Sequence, residues 1–156
     1  CLIHQPSYNM LNRWVEDDGL LNTLDDLGIG SIAFTPLAQG LLTSKYLQGV
    51  PEESRANQDK SLDRQKLTPE LVENLKALNE LASGRGQTLA QMALAWVLRG
   101  ERITTALIGA SSTKQVVNCA GAVERLDFTD SELSRIDKLS GDMGINLWAK
   151  SSETDI

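Results

Sequence analysis

The chain has 156 residues, of which 41% are hydrophobic and 23% are charged, and its formal net charge is −6. This composition is typical of a globular domain with a usable core, and the acidic excess argues against a general nucleic-acid or anionic-membrane partner. No run approaches the roughly 18 apolar residues of a membrane span, and the two cysteines, Cys1 and Cys119, have neither a disulfide framework nor metal-ligand spacing, which favours a reducing cytoplasm and no metal centre.

The first predicted element is a strand from Leu2 to Tyr8, which Pro6 must end or bend because proline cannot donate to a sheet ladder. Gln5 lies near its end, where a carboxamide could hydrogen-bond an amide-bearing ring or simply a neighbouring backbone group. His4 is the only histidine, but no nucleophile or acid is spaced to use it, so no catalytic role is expected. Because the chain starts with cysteine inside an apolar run, we expect residue 1 to be a cut through a longer protein.

An amphipathic helix is predicted from Glu16 to Leu27, with a face of leucines at positions 20, 21, 24 and 27. Gly28 supplies its C-terminal stop. The next strand runs from Ser31 to Thr35, and the strand-helix-strand order predicts that the first two strands are parallel.

The loop after this second strand, which Pro36 opens, is the main candidate site. Phe34 lies at the end of the strand, where its ring could stack on a flat ligand, and Ala38 and Gly40 would let the backbone approach a ligand closely. In α/β proteins, ligands bind outside the carboxyl ends of the strands. The alternative is an ordinary strand-to-helix connection.

A long polar segment from Gly40 to Leu67 carries two cations that could face an anion. Lys45 and Arg55 flank the turn-prone stretch GVPEES, which could fold back over a bound phosphate. The alternative is that both are solvated surface charges.

Regular elements follow this segment. Thr68-Pro69-Glu70 opens a helix that Gly84 ends. Its buried stripe is predicted to consist of Val72, Leu75, Leu78 and Leu81. A second helix from Gln87 to Arg99 places Met92 and Trp96 in the core. The third strand, from Ile103 to Ile108, is nearly all apolar or β-branched, as in a parallel strand covered on both faces.

The segment from Gly109 to Gln115 turns into a helix predicted from Lys114 to Val123. Small residues, hydroxyls and free N–H groups at a helix N-terminus can form an anion site, although hydroxyls there are also the commonest helix caps. A last helix from Thr129 to Leu139 carries a capping-box pair, in which Glu132 follows the threonine by three residues.

Three separated motifs resemble one family in the right order. FTPLAQGLLTSKY resembles the seventh-strand loop of aldo-keto reductases, while QPSYNMLNRW and LIGASSTKQ are similar to the sixth and eighth strands of that family. Within the family, the branch that includes the potassium-channel β-subunits and the bacterial L-glyceraldehyde 3-phosphate reductases is the most similar. The resemblance implies an α/β fold, a (β/α)8 TIM barrel, of which residues 1–156 are a partial domain holding about the last three β/α units. A complete barrel takes about 250 residues.

The resemblance also implies a site for NADP. According to this resemblance, Gln5 would hydrogen-bond the nicotinamide carboxamide, and Lys45 and Arg55 would face cofactor phosphates. Ser111 and Ser112, with nearby amides, would hold the 2′-phosphate. Gln115 would contact the adenosine portion. The full set of expected cofactor-binding residues is Gln5, Phe34, Thr35, Pro36, Leu37, Ala38, Gln39, Gly40, Lys45, Arg55, Gly109, Ala110, Ser111, Gln115, Asn118 and Cys119.

The chain departs from the family pattern at two places. Ser44 stands where many relatives have glycine, which removes no charge. Asn118 and Cys119 stand where the family usually has an acid and an amide that meet the adenine. Because a thiol is a poor hydrogen-bond donor, the expected adenine contacts are weaker.

The implied activity is NADPH-dependent reduction of a small carbonyl substrate, such as glyceraldehyde 3-phosphate, in which a tyrosine protonates the carbonyl oxygen with a lysine, an aspartate and a histidine nearby. In the family these four residues lie in the first half of the barrel, so no catalytic residue is expected in this chain and the chain alone should not catalyse. A nucleotide-binding or partner-docking module is the alternative, and a structural half without a ligand is a third. Three strands cannot close a barrel, so the open edges predict a homo-oligomer or aggregation.

Overall fold

The structure is a computed structural model that describes residues 1–47 and 67–141. Its sheet consists of three parallel strands in the order β1 (Ile3–His4), β2 (Gly30–Phe34) and β3 (Thr105–Leu107). Ile3 pairs with Gly30, and Phe34 pairs with Leu107. The predicted parallel arrangement is therefore confirmed for the three strands.

β1 and β3 are shorter than the sequence predicts, whereas β2 has the predicted length of five residues and starts one residue earlier. β1 stops before Pro6, yet the Phe34 N–H still donates to the Pro6 carbonyl at 3.0 Å and the Tyr8 N–H donates to the Phe34 carbonyl at 3.3 Å. Before β3, the Ser31 N–H donates to Thr104 Oγ1 at 3.1 Å, so that a side chain replaces a backbone acceptor. The sequence pattern marks the extended segments, but regular strand pairing covers only part of the predicted first and third strands.

The helix predicted from Glu16 to Leu27 is divided into α1 (Trp14–Asp17) and α2 (Leu20–Asp26). Gly19 separates them with a φ of 74°, in the left-handed region that glycine adopts without a Cβ clash. Gly28 ends α2 as predicted, with a φ of 63°. The prediction for Leu27 was wrong: this residue follows the last turn and is 66% exposed.

The two helices before β3 are α3 (Pro69–Gly84) and α4 (Leu89–Leu98). Thr68 caps α3 by accepting from the Leu71 N–H. The fully buried stripe of α3 consists of Leu71, Leu75, Leu78 and Ala82. It differs from the prediction at two of four positions, since Val72 and Leu81 are half-buried and the adjacent Leu71 and Ala82 take their places. Met92 and Trp96 of α4 are fully buried, as predicted.

Two helices follow β3: α5 (Thr113–Ala120) and α6 (Asp130–Leu139). The helix predicted to reach Val123 stops three residues earlier and tightens into a 3-10 turn, Gly121–Glu124. The predicted capping box at the start of α6 is confirmed, since Thr129 and Glu132 each bond the backbone N–H of the other.

The buried cation Arg85 links the turn between α3 and α4 to α6 through an ion pair. The Arg85 side chain is only 1% exposed, and its Nη1 lies 2.7 Å from Glu132 Oε2. The Nη1–H bonds are not aligned with the carboxylate, so the contact is an ion pair and not a well-formed hydrogen bond. Arg85 Nε donates to Gln87 Oε1 at 2.9 Å, and the guanidinium carbon lies 3.8 Å from the centre of the Phe128 ring.

A second polar cluster surrounds the buried indole of Trp96. The guanidinium carbons of Arg99 and Arg13 lie 3.6 Å and 4.6 Å from its ring centre. Arg99 Nη2 donates to Glu16 Oε1 at 2.8 Å, and the Tyr8 hydroxyl donates to the same oxygen at 2.5 Å. Burial raises the pKa of Tyr8 far above its usual value, with Glu16 adding to the effect and Arg99 opposing it.

Within residues 1–47 and 67–141, no helix has the length and hydropathy to cross a membrane.

Candidate functional site

The three predicted ligand-binding segments lie at one edge of the sheet. Gln5 directly follows β1 and is exposed, the loop from Thr35 to Gly40 follows β2, and Gly109, Ala110 and Ser111 come two residues after β3 and are exposed. Because the strands are parallel and adjacent, their carboxyl ends meet at the same edge. This is the edge at which α/β folds bind ligands.

The loop after β2 has an unusual backbone conformation. Thr35, Ala38 and Gln39 adopt φ values of 54°, 46° and 57°, and Gly40 follows with a φ of 99°. Hydrogen bonds within the loop hold this shape, from the Ala38 N–H to the Thr35 carbonyl and from the Gly40 N–H to the Leu37 carbonyl, both at 2.9 Å. Positive φ at residues with a Cβ costs of order 1–3 kcal/mol each and is concentrated at functional sites.

A buried polar network behind this loop holds Thr35 in place. Ser7 Oγ lies 2.9 Å from Thr35 Oγ1, and Asn9 Nδ2 donates to the Thr35 carbonyl at 2.9 Å. Asn12 Nδ2 donates to Ser7 Oγ at 3.2 Å. This network was not predicted from the sequence; the cluster of short polar residues just after a strand was the available signal.

Two buried polar atoms of the same loop region have no hydrogen-bond partner among the residues that the structure describes. They are Gln39 Oε1 and the hydroxyl of Tyr46, whose side chain is fully buried. An unsatisfied buried polar group costs about 1–3 kcal/mol. The unsatisfied atoms and the positive φ values both lower the stability of this loop region. Segments that are destabilised in this way are typical of binding sites.

The conformation of Gly40 gives a direct test of this backbone strain. The Gly40→Ala variant is expected to lose about 1–2 kcal/mol of unfolding free energy, because a φ of 99° is strained for any residue with a Cβ. The matched control is Gly84→Ala, at the end of α3, where φ is not positive and an added Cβ meets nothing within 4 Å. That substitution should stabilise by about 0.5–1 kcal/mol. Urea unfolding measures the free energy of unfolding of both variants. Equal changes in the two variants would contradict the inferred backbone strain at Gly40.

Lys45 projects from a short 3-10 turn, Ser44–Tyr46, next to the loop. Its side chain is exposed, and Nζ lies 5.7 Å from the centre of the Tyr46 ring. Thr43 Oγ1 joins the turn to the loop, since it accepts from the Lys45 N–H at 3.3 Å and donates to the Gly40 carbonyl at 2.6 Å. The other predicted cation, Arg55, lies outside the described residues.

The start of α5 uses its hydroxyls in two ways. Ser112 caps the helix by accepting from the Gln115 N–H, which agrees with the ordinary interpretation of a helix-start hydroxyl. Ser111 donates through both its N–H and its hydroxyl to Gln115 Oε1, at 2.8 Å and 3.1 Å. These two donors are exposed at the positive end of the helix, where an anion could replace the carboxamide oxygen.

Asn118, one of the residues that depart from the family pattern, is hydrogen-bonded to α4 and to its N-cap residue Thr88. Asn118 Nδ2 donates to Thr88 Oγ1 at 3.2 Å, and Gln91 Nε2 donates to the Asn118 carbonyl at 2.9 Å. Cys119 is half-buried, and burial raises the pKa of its thiol. The predicted contacts of both residues with a cofactor remain predictions.

No group of three or more histidine, cysteine, aspartate or glutamate residues in the described parts of the chain is placed to hold a metal ion.

Comparisons with known proteins agree with the three motifs. The aldo/keto reductase family model matches residues 1–140. The chain is 51% identical over 156 residues to the L-glyceraldehyde 3-phosphate reductase of Escherichia coli strain K12, covering 97% of this chain and 45% of the relative. It is 36% identical over 140 residues to a potassium channel β-subunit-like protein of Schizosaccharomyces pombe, covering 86% of this chain and 41% of that protein. The chain therefore spans less than half the length of these relatives.

Proposed function

Because the chain belongs to the aldo/keto reductase family, we propose that it supplies much of the NADPH site of a carbonyl reductase. The observation that carries this proposal is the meeting of three segments, after β1, β2 and β3, at the carboxyl edge of one parallel sheet. We further propose that β1 to β3 are the last three strands of a (β/α)8 barrel. Their parallel order and the helices between them support this, since barrels are built from that repeat.

The residues at the sheet edge fit the chemistry of NADP. Gln5 offers an exposed carboxamide that can pair with the amide of a nicotinamide ring. Lys45 and the donors of Ser111 suit phosphate oxygens, and Arg55 would add a second cation. When bound, NADPH would supply the hydride that reduces a carbonyl carbon.

The loop after β2 would form the floor of the cofactor site, with Phe34 at its start. Positive φ turns the backbone of Ala38 and Gln39 into a tight coil, which would present small groups to the cofactor. Gln115 would release Ser111 and turn toward the adenosine portion. Asn118 is hydrogen-bonded to Thr88, so it would need to give up that bond to reach the adenine.

The proton for the carbonyl oxygen would come from outside this chain. Tyr8 is unsuited to the task because it is buried, its hydroxyl donates to Glu16 and its pKa is raised. Tyr46 is likewise fully buried. We therefore propose that the catalytic residues lie in the part of the relatives that this chain does not span, and that the chain alone does not catalyse.

The substrate we propose is a small aldehyde such as L-glyceraldehyde 3-phosphate, which is the substrate named for the bacterial relative. The second candidate is a nucleotide-binding module that docks a partner without catalysis, and the similarity to the potassium channel β-subunit-like protein favours it. Both functions use the same cofactor site, so cofactor binding is the first property to measure.

NADPH binding can be followed by quenching of tryptophan fluorescence. The chain is expected to show saturable binding with higher affinity for NADPH than for NADH, since only NADPH carries the 2′-phosphate. Lys45→Ala should weaken NADPH binding about tenfold, the effect of one charge-assisted contact of about 1.4 kcal/mol. Lys76→Ala removes an exposed lysine paired with Glu73 on α3 and should leave the affinity unchanged. A folded chain that binds neither nucleotide, or that binds both equally, would overturn the proposed site.

A further inference from the structure

The side chain of Asn9 connects the segment after β1 to the loop after β2. Asn9 is 3% exposed, and its two polar side-chain atoms bond to different segments. Nδ2 donates to the Thr35 carbonyl at 2.9 Å, and Oδ1 accepts from the Leu11 N–H at 2.9 Å. Asn9 and Asn12 also exchange two backbone bonds of 3.1 Å, which close the turn that carries the side chain. Asn9 is therefore fixed within its own segment as well as at the loop.

These contacts require a carboxamide at position 9. A short side chain with a donor on one branch and an acceptor on the other must be a carboxamide. An aspartate in its ionised form would present a second acceptor to the Thr35 carbonyl. An alanine would release that carbonyl and would leave the buried Leu11 N–H without its acceptor.

The Thr35 carbonyl is the point at which Asn9 acts on the loop. Its oxygen also accepts from the Ala38 N–H at 2.9 Å, and this second bond closes the first turn of the loop. The Thr35 hydroxyl lies 2.9 Å from Ser7 Oγ. The carbonyl and the hydroxyl of Thr35 are thus both bonded to the segment after β1, so a rotation of this residue breaks both contacts.

Thr35 needs this support because its backbone conformation is unfavourable. Its φ of 54° is an outlier for a β-branched residue, and Ala38 and Gln39 further along the loop have positive φ values as well. A loop with such values persists only where the surrounding structure holds it. The bonds from Asn9 and Ser7 therefore offset the strain at Thr35.

We propose that Asn9 is a positioning residue for the cofactor: acting through Thr35, it holds the loop after β2 in its strained shape before NADPH binds. The inference rests on the proposed function, and it adds to it a residue that does not itself touch the cofactor. A loop that already has its bound shape loses little conformational entropy on binding. If the loop has this shape for only a fraction of the time, the apparent dissociation constant rises by the inverse of that fraction.

The first measurement is amide hydrogen exchange in the nucleotide-free chain, followed by NMR. Asn9→Ala should raise the exchange rate of the Ala38 amide at least about tenfold relative to that of the Leu75 amide in the core of α3, because the Thr35 carbonyl is no longer held. Ser7→Ala removes only the hydroxyl contact and leaves the turn at Asn9 intact. It should raise the same relative rate by about threefold.

Gln87→Ala is the matched control, since it removes a buried carboxamide from a different network. The Gln87 side chain bonds to Arg85 Nε and to the Arg125 carbonyl, and not to the loop after β2. Its loss should lower the stability of the fold but change the relative exchange rate of the Ala38 amide less than about twofold.

The second measurement is the NADPH affinity of the same folded variants. Asn9→Ala should weaken binding at least about tenfold, and Gln87→Ala less than about twofold. Because glycine adopts a positive φ without a Cβ clash, Asn9→Ala made in a Thr35→Gly chain should weaken binding less than about threefold relative to Thr35→Gly alone. A residue that only stabilised the fold would have the same effect in both backgrounds.

Three results would overturn the proposal. One is a relative exchange rate of the Ala38 amide that is the same in the Asn9→Ala and Gln87→Ala variants. Another is full NADPH affinity in the folded Asn9→Ala variant. The third is an equal loss of affinity from Asn9→Ala in the original and the Thr35→Gly chains. If Asn9→Ala does not fold, unchanged exchange of the Ala38 amide in Ser7→Ala overturns the proposal instead. If the original chain binds no nucleotide, the proposed cofactor site fails, and the exchange measurement still decides whether Asn9 holds the loop.

Discussion

The Arg85→Met variant is expected to lose about 3–5 kcal/mol of unfolding free energy, because removing one partner of a buried ion pair leaves the other uncompensated. Arg85 is almost fully buried, and its loss would remove the positive charge beside Glu132 and the hydrogen-bond donor of Gln87 Oε1 and of the Asp127 carbonyl. The cation over the Phe128 ring would be lost as well. Urea unfolding at neutral pH measures the change.

Arg125 provides the matched control for this prediction. Its Nη2 lies 3.8 Å from Glu132 Oε1, but its side chain is 47% exposed. Solvent screening makes such exposed pairs worth about 1 kcal/mol or less, so Arg125→Met should have a small effect. If the two methionine variants have equal free energies of unfolding, the buried ion pair of Arg85 stabilises the fold no more than the exposed pair of Arg125.

The same ion pair predicts a dependence of stability on pH. Burial opposes ionisation of Glu132, but the bond from the Thr129 backbone and the neighbouring Arg85 outweigh it and hold the pKa of Glu132 below its usual value. A carboxyl whose pKa is lower in the folded state stabilises the fold above its unfolded pKa of about 4.3 and loses this contribution as the pH falls through the folded value. The difference in stability between the original chain and Arg85→Met should therefore shrink between about pH 5 and pH 3. If the difference in stability between the original chain and Arg85→Met stays constant over this pH range, the inferred stabilisation of the Glu132 carboxylate by Arg85 is wrong.

The helices could be predicted where their signals are local. Thr68 with Pro69 marks the start of α3, and Thr129 with Glu132 marks the start of α6, because a cap depends on only three or four neighbouring residues. The prediction failed at Gly19, where leucine periodicity runs through a residue whose backbone turns left-handed. A pattern of side chains indicates which face is apolar but does not report backbone φ.

The candidate site was predictable in its location but not in its conformation. Parallel strands bring their carboxyl ends to one edge, so the order of elements alone places Gln5, the loop after β2 and Ser111 near that edge. The positive φ of Thr35, Ala38 and Gln39 has no such signal, because these residues normally avoid that region. Tertiary contacts hold the loop there, and the bonds from Ser7 and Asn9 to Thr35 join residues 28 and 26 positions apart.

The Trp96→Ala variant is expected to lose about 3–5 kcal/mol of unfolding free energy, from lost burial and the cavity left behind. Trp96 is fully buried, and it contacts Tyr8 at a ring-centre distance of 5.3 Å besides the two guanidinium groups. Trp96→Phe is the graded control: the indole Nε1 has no hydrogen-bond partner among the described residues, so phenylalanine loses no bond and should cost about 1–2 kcal/mol. A larger loss in the phenylalanine variant than in alanine would contradict packing as the cause.

Trp96 also connects the core to the candidate site, and in this respect it differs from Arg85. Arg13, which lies over the indole, donates to the Met10 carbonyl and to Asp137 of α6, so it fixes the segment after β1 that carries Ser7 and Asn9. Those two residues hold Thr35 at the start of the loop after β2. Trp96→Ala should therefore weaken NADPH binding even at a temperature where the variant is folded, whereas Arg85→Met, with a similar loss of stability, should not. Equal affinities in the two folded variants would show that the loop holds its conformation without support from the indole.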